Sequence, residues 1–166
     1  MNNRVKKITF IALMVAVAFV LAWMESLFPP LIAVPGVKLG LTNIVVLITL
    51  YRLSYKEALL INLLRIIIAG FTFGNPFSML YSLAGGILSG LGMMLLHGFK
   101  CRMITVSIAG GLLHNLGQLL VAMFILDTPS LFYYLVVLWI SGSLSGAVLG
   151  ILGSLILNRI NTDKLG

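Results

Sequence analysis

Apolar residues fill this chain in long blocks, and the polar residues that interrupt them come in tight clusters. A helix needs about 20 residues to cross the hydrocarbon core of a membrane. On that ruler the chain divides into six segments, at about 8–28, 37–53, 56–73, 76–96, 103–126 and 131–160. The breaks carry turn formers or charges, which is where membrane helices end: Pro29 and Pro30, Ser54 to Glu57, Gly74 to Pro76, His97 to Arg102, and Asp127 to Pro129. The second segment is short once Lys38 is excluded, because residues 39–51 span only about 20 Å. It either crosses a thinned region or starts inside the protein, with residues 31–36 folded back over the outer mouth as a packed lid. The apolar stretch 31–34 suits such a lid better than an exposed loop, since irregular backbone at membrane depth needs protein or a watery cavity beside it.

Composition turns the pattern into a class. The chain is 60% hydrophobic and 9% charged, where soluble domains carry about 25% charged residues. The expectation is an all-α integral membrane bundle, residues 1–166 forming a single transmembrane domain with almost no room for a soluble one. The basic balance, 11 Lys and Arg against 4 Asp and Glu, follows the loops. With the N-terminus inside, the inner loops hold Arg4, Lys6, Lys7, Arg52, Lys56, Lys100, Arg102, Arg159 and Lys164, and the outer loops hold only Lys38. This predicts a multi-pass protein of the cell membrane with both termini cytoplasmic (N-in/C-in), and no nucleic-acid partner. Residues 8–28 are too long for a signal-peptide core and end in Trp23, Met24 and Glu25, so a retained helix is expected. Cys101 is alone, which leaves no internal disulfide and no metal-ligand pair.

Small residues recur at four-residue spacing, a pattern that lets neighbouring backbones approach. They are Ala12 and Ala16, with Ala18 and Ala22 as a second register; Ser82, Gly86 and Gly90; and Gly142, Gly146, Gly150 and Ser154. The last two sets suit internal packing. In the first segment a second face of alanines is also available to dock a separate membrane subunit, as the alternative to internal packing.

Ionisable and amide groups inside the apolar blocks are costly and mark functional candidates. Arg65 lies about 13 Å beyond Lys56, near the midplane. Glu25 is its only plausible acidic partner, and backbone carbonyls near Gly70 and Gly74 or an anionic ligand are the alternatives. His114, Asn115 and Gln118 fall within one turn beside Gly110, Gly111 and Gly117, either as interhelical hydrogen bonds or as a second wall of a site. Asn75 either caps the helix that Pro76 starts or joins the site with Tyr81. Asn43 faces a cavity or a neighbouring helix, and Lys38 serves the site or anchors on lipid phosphate. Together these groups describe a pocket open to the outside for an anionic or strongly polar ligand.

Reactive chemistry is sparse. There is no Walker A sequence, and the four acidic residues are scattered over both membrane faces, so they cannot gather Mg²⁺ against a diphosphate. His114 lacks a nearby nucleophile or carboxylate in sequence, and His97 is too far from it to share a metal. Neither catalysis nor a cofactor is expected.

The runs PGVKLGLTN (35–43), LRI (64–66), FGNPFS (73–78), YSLAGG (81–86) and AGGLLHNLGQ (109–118) resemble the Gx transporter family, often labelled heptaprenyl diphosphate synthase component I. The resemblance covers nearly the whole chain. It implies kinship with the S components of energy-coupling factor (ECF) transporters, which have six membrane helices and an outer loop closing over the ligand after the first. It further implies that residues 31–40 gate the ligand and that Ala12 and Ala16, or Ala18 and Ala22, dock a transmembrane coupling subunit driven by two ATPases. The alternative the label implies is a non-catalytic membrane accessory subunit of isoprenoid or quinone synthesis. The aspartate-rich motif of prenyl synthases is missing from this sequence.

Overall fold

A computed structural model describes residues 3–27 and 40–160. Within them the chain forms α1 (Asn3–Leu27), α2 (Asn43–Arg52), α3 (Tyr55–Thr72), α4 (Pro76–Gly98), α5 (Met103–Leu126) and α6 (Leu135–Arg159), with a 3-10 turn at Pro129–Tyr134 leading into α6. The helix starts follow local chemistry. Ser54 Oγ accepts the Lys56 N–H at the head of α3. Asn75 and Ser78 exchange side-chain bonds in a capping box ahead of α4, with Pro76 in the first turn, where its missing N–H costs nothing. Asp127 closes α5 in the left-handed region, at φ 45°.

Four stretches are long and apolar enough to cross a membrane: Arg4–Leu27, Pro76–Gly98, Met103–Leu126 and Pro129–Arg159. The chain is a membrane protein, and of its six α-helices these four are by themselves long and apolar enough to cross. α2 has 10 residues, about 15 Å of helix against a core about 30 Å thick. α3 carries Lys56, Glu57 and Arg65 in its 18 residues. Within the predicted segment 37–53, helix starts at Asn43, after Gly40 at φ +71° and a turn at 41–42; residues 37–39 lie outside the described residues. The predicted 131–160 corresponds to the stretch Pro129–Arg159, whose first six residues form a 3-10 turn before α6.

Short α2 is nonetheless the hub. Six consecutive residues, Val45 to Leu50, are buried, as expected for a helix enclosed on all sides. It touches every other α-helix, and Val46, Leu47 and Leu50 pack with Ala58, Met93, Met103 and Val106. The basic residues gather where α2 ends. There Tyr51 donates to the Cys101 carbonyl at 3.0 Å and stacks edge-on with His97, while Lys7 bridges Glu57 at 2.7 Å to tie α1 to α3.

The glycine rows close α4 on α5 and α5 on α6. On α6, Gly142 faces Gly111, Gly146 faces Ile108 and Gly150 faces Ile104, with backbone atoms where a Cβ would go. Gly111→Val would drive its side chain into the Gly142 carbonyl, which cannot yield as a side chain could. A loss of about 1–3 kcal/mol is expected from such overpacking, measurable as a lower melting temperature in detergent; an unchanged midpoint would refute the close approach.

Candidate functional site

On the Asn43 side of α2, polar side chains from α3 and α5 converge on a pair of glycines in α4. Asn62, 2% exposed, donates from Nδ2 to the Gly86 carbonyl at 2.9 Å. Its Oδ1 accepts from Arg65 Nε, also at 2.9 Å. The two partners fix the amide's orientation, since a flip would set donor against donor and acceptor against acceptor. Arg65 is 7% exposed, and its Nη2 has no hydrogen-bond partner among the described residues. Glu25 at the end of α1 accepts the Gly40 N–H at 2.5 Å, and it is the acid whose field acts on Arg65.

The other wall comes from α5. A Cβ on Gly85 would lie 3.1 Å from His114 Nδ1 and 3.0 Å from Gln118 Cγ, and one on Gly86 would lie 3.0 Å from Asn62 Nδ2. The Gly85–Gly86 step therefore has no side chain because α3 and α5 groups already occupy both flanks. Gln118 is 4% exposed and its Oε1 lacks a partner among the described residues. Tyr81, half-buried, lies one turn before Gly85 on the same face of α4. Below Asn62 a void of about 10 Å³ touches Val46, Leu50, Gly90 and Met93. That is room for about one water, so an organic ligand would have to lie on the Arg65 side of Asn62.

The candidate set changes in three places. Asn75 is exposed and engaged in its capping box, apart from the buried cluster. Asn115 turns toward α6 and donates to the Leu138 carbonyl at 2.8 Å, so it ties two helices. Asn43 begins α2 half-buried, its N–H bonded to the Gly40 carbonyl at 2.8 Å, and its side chain lies beside Gly40. Lys38 and residues 31–39 of the expected lid lie outside the described residues. Asn62 is the functional candidate that the sequence reading passed over. Its signal is spacing: a buried amide three residues before a buried arginine shares that arginine's helix face.

On α1, Ala12 and Ala16 are exposed, Ala22 is half-buried, and Ala18 is fully buried. Ala18 packs with Val45 and Ile61, so the two alanine registers lie in different environments.

Among the described residues no three His, Cys, Asp or Glu side chains are grouped to hold a metal ion. The cluster packs one buried cation, one fixed amide, a glutamine oxygen without a partner among the described residues and a histidine against the Gly85–Gly86 backbone. Comparison with curated proteins and with solved structures returns no match. The family model described as heptaprenyl diphosphate synthase component I matches residues 14–156. That stretch contains all of α2 to α5 and every residue of the polar cluster, and the chain belongs to the heptaprenyl diphosphate synthase component I family.

Proposed function

We propose that this chain is a substrate-binding membrane subunit that captures a small anionic or strongly polar organic ligand from the outer side, in the manner of an ECF S component. The observation that carries the reading is Arg65, a guanidinium more than nine-tenths buried whose Nη2 has no hydrogen-bond partner among the described residues. A buried charge persists only when something compensates it; Glu25 supplies part of that compensation, and a bound anion would pair with Nη2. The gathering of basic residues where α2 ends supports N-in/C-in orientation by the positive-inside rule, which puts the Asn43 end of α2 and the polar cluster toward the outside. In this reading α2 descends from the outer side and α3 returns to it, which keeps both termini inside; Lys38 and the residues around it close the site, and Tyr81, His114 and Gln118 line it. Energy comes from a coupling subunit and two ATPases, docked on α1 through Ala12 and Ala16.

Native mass spectrometry of the purified protein tests this directly. A retained small molecule with an anionic group is expected, and Arg65→Ala should lose it. Retention unchanged in Arg65→Ala would refute the anion contact.

The family's description favours a second reading, a membrane accessory subunit of heptaprenyl diphosphate synthesis. It predicts that adding this chain to a soluble prenyl diphosphate synthase changes the rate or product length. No effect would retire it.

A further inference from the structure

Two opposite charges stand on the Asn43 side of the bundle, on different helices. Arg65 on α3 is more than nine-tenths buried, with Nη2 unpaired among the described residues. Glu25, in the last turn of α1, is partly buried and accepts the Gly40 N–H on Oε1 at 2.5 Å. The Gly40 carbonyl accepts in turn from the Asn43 N–H at 2.8 Å. The carboxylate is thereby fixed to the turn that opens α2, and its field reaches Arg65. The other charges of the helices around it lie at their far ends. α1 packs on α2 and α3. On α3, Lys56 and Glu57 are in the first turn, where Lys7 bridges Glu57 at 2.7 Å. α2 carries its one charge, Arg52, in its last turn. Lys7 itself is about 27 Å from Glu25 along α1. On this side of α1, α2 and α3 the described charges therefore sum to zero.

A monoanion bound at Arg65 would leave that pair one unit negative. Between membrane helices the effective dielectric is low, and an uncompensated charge is costly there. A proton on Glu25 restores neutrality. It can settle on the second carboxylate oxygen while Oε1 goes on accepting from Gly40, so the tie to α2 survives protonation. We infer that the anion binds together with one proton, taken up by the Glu25 carboxylate, so that the filled site stays neutral. The inference rests on the anion site proposed above and adds a co-ligand to it. Linkage makes the coupling reciprocal: the proton raises affinity for the anion by the factor by which the anion raises affinity for the proton, commonly about 5- to 150-fold. Anion affinity is therefore highest at low pH, where Glu25 is protonated with or without the anion. It falls by about tenfold or more as pH rises, until Glu25 is ionised even in the filled site.

The test uses the full chain in dodecyl maltoside micelles, with the sulfonates from methanesulfonate to butanesulfonate as probes. A sulfonate stays ionised from about pH 4 to about pH 8, so any proton taken up must go to the protein. Melting-temperature shifts at matched concentration and ionic strength give the apparent affinity. Wild-type protein should bind a sulfonate about tenfold or more tightly at the acid end of that range than at the alkaline end. Glu25→Gln keeps an oxygen for the Gly40 N–H and removes the charge, so it should bind with the low-pH affinity throughout. Glu25→Asp should bring the pH dependence back. Mixing butanesulfonate with wild-type protein in weak buffer should raise the pH by uptake of up to about one proton per chain, and this measurement decides the matter if neither variant folds. Equal affinity at every pH with no proton taken up, or a pH dependence that survives in Glu25→Gln, would overturn the proposal and leave the anion site standing. Wild-type protein that responds to no sulfonate at any pH would overturn the anion site and the proposal with it.

Discussion

Asn62→Asp protein is expected to lose anion retention by a factor on the order of 10² while remaining folded, as read by native mass spectrometry at graded concentrations. The substitution changes almost no volume and keeps an oxygen where Asn62 Oδ1 now accepts from Arg65 Nε. That oxygen then carries charge, and a charge-assisted bond is about twice as strong as a neutral one. An incoming anion meets a guanidinium that faces the new carboxylate as well as the field of Glu25, and the added charge repels it. The cost lies on the amide's other side, where Nδ2 now donates to the Gly86 carbonyl and an oxygen cannot. That carbonyl keeps its own helical bond within α4, but losing the second bond and setting oxygen against oxygen costs about 1–3 kcal/mol. Compensating the buried guanidinium works in the opposite direction, by several kcal/mol when a buried ion is otherwise unpaired. Stability should therefore change little. Asn62→Ala separates the two effects: it keeps the full charge of Arg65 but frees the side chain, so retention falls less and the melting temperature falls more. Equal retention in wild type and Asn62→Asp would mean that Arg65 holds no anion.

How far the site could be read in advance depended on what each residue does alone. Arg65, His114 and Gln118 stand out because an ionisable or amide group in an apolar block is anomalous wherever its neighbours lie. Asn62 is anomalous in the same sense, but its importance comes from two bonds across helices, to Arg65 and to the Gly86 carbonyl. Asn115 and Asn75 look equivalent to it in sequence, and only their partners, the Leu138 carbonyl and Ser78, separate them from the site. The fold divides in the same way. The starts of α3 and α4 were legible because Ser54, Asn75 and Pro76 act within one turn. The length of α2 was not, because it follows from the left-handed turn at Gly40, and glycine alone does not announce which way it turns. The burial of α2 on all faces is likewise a property of the five helices around it.

The exposed alanines of α1 give the second large effect. Ala16→Trp is expected to abolish co-purification with a membrane coupling subunit while leaving ligand retention and melting temperature as in wild type. Ile8, Ala12, Ala16 and Val20 follow one another at four-residue spacing, so they form a stripe along one face of the helix. Ile8 is 66% and Val20 49% exposed, and the alanines between them make a notch where a partner helix could come close. Indole at Ala16 would fill that notch and touch nothing inside the bundle. Ala18→Trp is the control, since Ala18 is fully buried against α2 and α3 through Val45 and Ile61. There the added bulk has no free space, and a loss of about 1–3 kcal/mol in the bundle itself is expected. The two substitutions lie within one turn of each other and add the same side chain. Lost assembly with normal stability from Ala16→Trp, against lost stability from Ala18→Trp, would assign the outward register to a partner. Assembly that tolerates Trp at Ala16 would remove that face from the docking surface and leave α1 packed on α3 and α2 as its only demonstrated role.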